Sequence, residues 1–438
     1  MNRLFWTIPE AAAAFRDGTL TPTALLEACL ERIDRFESRI NAWVLVDRDA
    51  ARESAGRAEQ ELREGIDRGL LQGIPVGIKD IIDVAGLPTK AGSPLREGHV
   101  AKEDAPVVAA LRRAGAVILG KTVTVEFACF DPSPTRNPWE PEYHTPGGSS
   151  SGSAAAIAIG MCLGALGTQT GGSLVRPSSY CGIATCKPTF GAIDMRAIVP
   201  VSPHLDHAGP MARTVADLRA MLFALISLVS PSAPVNVPPR LGILEEFFME
   251  EADSAVERVI RQAVSRLTTA GAKVSEVPLP VDFNEFRQIH LTIMAADAAA
   301  YHREDFTRRP EAYGPMISGL LRDGLSAAAV DYAAALIRKE ELRNAIGDMF
   351  EGVDALIMPS TDTTAPSTRD TTGTPKFQAP WSCTGFPVVS IPCGPAEDGM
   401  PVGLQIVGRH HSAASLLDAA EWCEREVGFG DCPPILMH

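Results

Sequence analysis

The sequence predicts an α/β protein, and two observations carry that prediction. Asp104-Ala105-Pro106 opens a helix to Arg113, Gly115 stops it, and Val117-Ile118-Leu119 follows as a short buried strand. Upstream, residues 74–82 (Ile-Pro-Val-Gly-Ile-Lys-Asp-Ile-Ile) form an apolar run broken by a single lysine. Helices alternating with short apolar strands are the pattern of helices packed on a sheet.

Taken in order, residues 7–64 read as mainly helical. Thr21-Pro22 supplies an N-cap and a proline at the first helical position, after which Leu25, Leu26, Cys29, Leu30 and Ile33 share one face. A charged helix is expected over about 48–64, with a short strand at 42–46 between the two. Residues 145–191 are dense in Gly, Ser and Thr between apolar runs, and 230–239 reads as a linker-like break. Amphipathic helices are expected near 253–271 and over 327–349. A long Thr/Pro/Ser loop at 359–380 leads to a last apolar region, 386–408. No internal repeat is found.

The 438 residues are 45% hydrophobic and 21% charged, an ordinary globular composition able to bury a sizeable core. A net charge of −14 argues against nucleic acid and anionic membranes as partners. Nine scattered cysteines, an odd number with no C-x-x-C pair, do not read as a disulfide framework or a zinc ribbon. The N-terminal segment meets Pro9, Glu10, Arg16 and Asp17 too early for a signal peptide, and no uncharged stretch is long enough for a bilayer. A cytoplasmic protein is expected.

The chemistry concentrates in the Gly/Ser stretch. A flexible linker would not carry the apolar runs 154–159 and 162–166 through its middle. Gly148-Ser149-Ser150-Ser151-Gly152 fits the G-x-S-x-G elbow of α/β-hydrolases, but the prolines and charges of residues 140–146 cannot form the strand that elbow requires. No G-x-x-x-x-G-K-[ST] phosphate loop is present.

Another pattern fits. Pro146-Gly147-Gly148-Ser149-Ser150-Ser151-Gly152-Ser153-Ala154 is followed by Gly167-Thr168-Gln169-Thr170-Gly171-Gly172-Ser173, and Gly73-Ile74-Pro75-Val76-Gly77-Ile78-Lys79-Asp80 lies upstream. With Lys187-Pro188-Thr189, Asp206-His207-Ala208-Gly209-Pro210-Met211, Pro380-Trp381-Ser382 and Gly399-Met400-Pro401-Val402-Gly403-Leu404-Gln405, these segments resemble the amidase signature family of Ser-cisSer-Lys hydrolases. The resemblance covers most of 70–220 and 350–410, with the motifs in the same order.

The resemblance implies a single α/β domain with a mixed, largely parallel twisted sheet flanked by helices on both faces. Its parts are an N-terminal helical segment 1–68, a signature core 69–225, a helical segment 240–350 and a C-terminal part of the core, 351–438. Ser173 is implied as the nucleophile, Ser149 with a cis peptide bond as the proton relay, and Lys79 as the base. Thr170, Gly171 and Gly172 are implied as the oxyanion turn. The reaction implied is hydrolysis of a small-molecule amide, with no cofactor and no metal.

That arrangement also stands on physical grounds. A serine hydroxyl is a weak nucleophile until a base takes its proton. Lysine, with an ordinary pKa of about 10.4, must be desolvated to act as that base near pH 7, and the apolar run around Lys79 suits this. Gly171-Gly172 would let the chain turn sharply and aim N–H donors at an oxyanion. Alone, a lysine in an apolar run more often snorkels to solvent; the two serine motifs outweigh that reading.

Many family members carry Asp at the position of Gln169, and Arg two residues after the nucleophile. Here that second position is Val175, and the arginine is Arg176. Gln-Thr-Gly-Gly-Ser-x-x-Arg-Pro resembles the malonamidase-like branch, in which the arginine faces a substrate carboxylate. Arg176 and Gly148 are therefore the expected substrate-binding positions, and a carboxylate-bearing half-amide the expected ligand. The alternative is that Arg176 pairs with a buried carboxylate of the protein. Asp80 and Asp83 read as structural or solvated carboxylates, and His204, Asp206 and His207 as structural rather than metal-binding. Within 286–303, Met294 and Asp297 form no clear pattern.

Three rivals stand beside this reading. An amidotransferase subunit supplying ammonia to a tRNA-charging complex is disfavoured by modest length and the variant motif. An esterase would use Ser150 with a late histidine such as His410. An inactive scaffold is disfavoured by the intact Lys79, Ser149 and Ser173. A homodimer is compatible with the sequence.

Overall fold

In the computed structural model, which describes residues 5–226 and 237–437, eleven strands hydrogen-bond into one sheet. In chain order they are β1 (Trp43–Val46), β2 (Pro75–Lys79), β3 (Val117–Thr122), β4 (Gly164–Gln169), β5 (Ala184–Lys187), β6 (His207–Ala212), β7 (Arg240–Ile243), β8 (Lys273–Glu276), β9 (Ala355–Pro359), β10 (Val388–Pro395) and β11 (Pro401–Val407). Their spatial order is β1-β3-β2-β4-β6-β5-β10-β11-β9-β7-β8.

The expectation of one α/β domain with a mixed sheet holds, but the sheet is not largely parallel. Parallel pairing is confined to β3-β2-β4 near one end and β9-β7-β8 at the other. The remaining pairs are antiparallel. The connections explain the correction: β10 and β11 form a hairpin, in which Pro395 faces Pro401, and a short turn can only join antiparallel strands. Strand β6 then enters between β4 and β5 running against both.

The N-terminal region contains three helices, Ile8–Asp17, Pro22–Ile40 and Arg48–Arg63, with β1 between the second and third. Thr21 caps the second helix as expected, its hydroxyl accepting from the Ala24 N–H at 3.1 Å, and Asn41 ends it at φ 54°. The helix Pro106–Arg113 is not capped by Asp104; Ala105 holds the N-cap position without a side-chain bond. The Asp104 carboxylate instead accepts from the Ala85 N–H and Arg112 Nε, each at 2.8 Å.

Helices Ser254–Thr269 and Ala329–Gly347 lie where amphipathic periodicity placed them. Between them run Glu285–Arg308 and Pro315–Ser326. Phe286, His290 and Met294, spaced four apart, form one stripe along the first of these and bring it against the cavity described below. The linker-like stretch 230–239 falls mostly outside the described residues. No helix among the described residues is long and apolar enough to cross a membrane. All nine cysteines are free, and only Cys432 is not fully buried.

Candidate active site

Strands β2 and β4 run side by side in parallel with Ile78 opposite Leu166, so their carboxyl ends emerge together. This register sets Lys79, the last residue of β2, beside Thr168 near the end of β4. Lys79 Nζ donates to Ser149 Oγ at 2.6 Å and to Thr168 Oγ1 at 2.8 Å. The side chain does not snorkel: its exposure is 0%. Burial lowers its pKa to about 7, against the opposing charge of Asp206.

Ser149 follows a cis Gly148-Ser149 peptide bond, and one residue, Ser150, separates it from the helix Ser151–Ala158. Ser173 lies in the turn from β4 to the helix Val175–Cys181. The Ser173 carbonyl accepts from the Ser150 N–H at 3.3 Å, lacing the two serine segments together. Both Ser149 and Ser173 open on a cavity of about 520 Å³. Lys79, Ser149 and Ser173 are thus brought to one place, with the lysine bonded to Ser149.

The rival serine is differently placed. Ser150 is fully buried, and its hydroxyl is tied to the carbonyl and N–H of Thr168, each at 3.3 Å. No strand precedes it, so the strand–turn–helix elbow does not form. His410 packs its ring 4.1 Å from that of Phe386, away from the cavity-lining residues.

The turn 170–172 is held from several sides. Thr170 Oγ1 donates to Asp206 at 2.6 Å, and Asp206 also accepts from the N–H groups of Val201 and Ser202. His290 Nε2 lies 3.0 Å from the Thr170 carbonyl; a carbonyl only accepts, so this nitrogen carries the proton. Ser382 Oγ donates to the Gly171 carbonyl at 2.7 Å. Gln169 Oε1 accepts from the N–H groups of Leu174 and Val175. Among the described residues, no acceptor takes the N–H of Gly171, Gly172 or Ser173, and all three residues line the cavity.

The chain bends at 170–172 without a positive φ at Gly171 or Gly172, and the glycines there also serve close packing. A Cβ on Gly172 would sit 2.3 Å from Gln378 Oε1, and one on Gly171 would sit 3.2 Å from Pro375 Cβ.

The cavity walls are largely apolar, with Phe130, Phe247, Phe283 and Phe286 among them, and carry Arg176, Arg287, Lys376 and Asp362. Arg176 is buried, donating to the carbonyls of Gly373 (2.9 Å) and Gly148 (2.8 Å) and to Thr372 Oγ1 (3.2 Å). Among the described residues no carboxylate forms an ion pair with it; burial lowers its pKa to about 10, and Tyr180 and Asp362 oppose that only through space. The Gly148 carbonyl is held by Arg176.

Of the other residues singled out from the sequence, Asp80 pairs with the buried Lys121 at 3.0 Å, and Asp83 lies 3.7 Å from His99. Asp297 accepts from Ser202 and Tyr332 and contacts His204, while Met294 lines the cavity. His207 Nδ1 donates to the Leu205 carbonyl. Sequence reasoning missed Thr168 as a partner of Lys79, Asp206 as the support of Thr170, and His290. Thr168 and Asp206 stood inside recognised motifs; His290 had no local signal, since only the packing of its helix brings it to the turn.

The sequence model of the family described as Amidase matches residues 24–417. The chain is 33% identical over 470 residues to a glutamyl-tRNA(Gln) amidotransferase subunit of Chloroflexus aurantiacus, covering 96% of each. It is also 33% identical over 456 residues to the 2-amino-5-chloromuconic acid deaminase of Comamonas testosteroni, covering 98% of each. A crystal structure of an amidase superposes with a TM-score of 0.89 at 33% identity, over 97% of this chain and 100% of that one.

Proposed function

This chain belongs to the amidase family of enzymes that hydrolyse C–N bonds, and from that premise we propose that it cleaves a small amide through an acyl-enzyme on Ser173. The observation that carries the proposal is the bond from a fully buried Lys79 to Ser149, in the cavity that also holds Ser173. Neutral Lys79 takes the Ser149 proton as Ser149 takes that of Ser173. Ser173 Oγ then attacks the amide carbon. The oxyanion forms against the free N–H groups of the 170–173 turn, donors of a kind worth about 10²–10³ in rate each. The relay returns the proton to the departing nitrogen, and water repeats the sequence to free the acid.

The substrate proposed is a small amide bearing a carboxylate. Arg176 supports this, as a cation on the cavity wall that no carboxylate among the described residues has claimed. Ammonia release from acetamide, benzamide and succinamate by the purified chain, with Ser173→Ala and Lys79→Ala as controls, tests the proposal. Turnover that survives Ser173→Ala would remove it.

A second reading is favoured by the similarity to the amidotransferase protein of Chloroflexus aurantiacus, which the chain matches over 96% of that protein's length, so length does not separate the two. Hydrolysis by the chain alone supports a free amidase; turnover only once a partner protein has been added supports the other.

A further inference from the structure

The segment leading from Val125 to Asp131 holds three non-glycine residues at positive φ: Phe127 (45°), Ala128 (60°) and Phe130 (54°). Bulky side chains rarely occupy that region, and such strain persists only where the surroundings over-determine it. At Phe130 the constraint is tightest. The Asp131 N–H donates to the Cys129 carbonyl at 2.7 Å. An i to i+2 bond around a positive φ is a γ-turn of the rarer, strained form, with Phe130 at its centre. Glycine would adopt that backbone freely, so the backbone itself gives no reason for a ring there.

The surroundings clamp the turn at both ends. The Glu126 carboxylate accepts from Ser93 Oγ at 2.6 Å and from the Gly314 N–H at 2.7 Å. The Asp131 carboxylate accepts from the N–H groups of Ile317 at 3.0 Å and Met316 at 3.3 Å, at the start of the helix Pro315–Ser326. The two aromatic rings then part company. Phe127 is buried, its ring 4.4 Å edge-on from His302 and 5.7 Å from Tyr313. Phe130 is half-buried and lines the reaction cavity together with Val125 and Ala128. The Phe127 ring is buried within the turn; the Phe130 ring packs partly against the core and also lines the cavity.

We propose that Phe130 is a specificity-determining residue, its ring fixed by the clamped γ-turn so that it limits the bulk of the apolar part of the substrate beside the scissile amide. The proposal rests on the cavity being the amide site. A side chain kept for packing lowers stability when removed. A side chain held at a strained position for selectivity does the opposite, because glycine removes the ring and relieves the backbone together.

Ammonia release from benzamide and 2-naphthamide is compared in wild type, Phe130→Gly and Phe130→Leu, with thermal melts of each. In Phe130→Gly the preference for benzamide should fall by at least about tenfold, the scale set by a group of methylene size or more in a hydrophobic pocket, while Tm stays at or above that of wild type. Phe130→Leu, which keeps apolar bulk, should retain most of the preference. An unchanged preference in Phe130→Gly, or a Tm lower by several degrees, overturns the proposal. If wild type releases ammonia from neither of these amides nor from succinamate, it is the reading of the cavity as an amidase site that fails. Phe130 is then judged by binding to Ser173→Ala with and without Phe130→Gly: 2-naphthamide should gain about tenfold on benzamide, and equal gains overturn the proposal.

Discussion

Lys79 Nζ lies 2.6 Å from Ser149 Oγ, and no carboxylate among the described residues forms an ion pair with it. A buried ammonium ordinarily recruits a counter-ion, as Lys121 does with Asp80. Lys79 is instead surrounded by hydroxyls, which can bond its neutral form as readily as its charged one.

That environment fixes the pH dependence. With the Lys79 pKa near 7, the base form grows as pH rises through that value. kcat/KM for a primary amide should climb through neutrality and level off on the alkaline side. A profile measured from pH 5 to 9 that is flat, or that falls, would remove Lys79 as the base.

Asp206 should tune that limb. Its charge acts to raise the Lys79 pKa, and its carboxylate holds Thr170 at 2.6 Å. In Asp206→Asn the ammonium loses that support, so the limb in the kcat/KM profile shifts to lower pH. The plateau falls as well, by about tenfold or more, because the oxyanion turn loses an anchor. A lowered plateau with an unmoved limb would make Asp206 a purely structural residue.

The parts legible in the sequence were those whose signals are local. The Thr21 cap and the Gly115 helix stop each depend on residues close in the chain, and each lies where expected. The direction of the sheet was not legible: it depends on which distant strands become neighbours, as when β6 enters between β4 and β5. His290 was invisible for the same reason, since 120 positions separate it from Thr170. At Gly171 and Gly172 the pressure from Pro375 and Gln378 was not legible either, since both are remote in sequence.

Arg176 should separate charged from neutral substrates. Its guanidinium is shared among the Gly148 and Gly373 carbonyls and Thr372, so truncation disturbs the wall as well as removing a charge. Comparing kcat/KM for succinamate and for butyramide in Arg176→Ala takes out the shared structural loss. Succinamate should lose at least about tenfold more than butyramide, the lower range of a charge-assisted bond. Equal losses would reduce Arg176 to a support of Gly148.

Removing the base should stabilise the protein, in a pH-dependent way. In the unfolded chain Lys79 has its ordinary pKa of 10.5; folding lowers it to about 7. Between those values the unfolded state binds a proton that the native state lacks, so wild-type stability rises with pH across that window. Below pH 7 both states are protonated and the full penalty of the buried charge applies. The shift corresponds to roughly 4–5 kcal/mol at most, offset by about 1 kcal/mol for each lost bond to Ser149 and Thr168. Lys79→Met should therefore be inactive yet melt a few degrees above wild type at pH 6, with the difference shrinking toward pH 10. Melts of both proteins at several pH values measure this. A variant less stable than wild type throughout, or a difference independent of pH, would mean that the ammonium is not held at the energetic cost its burial implies.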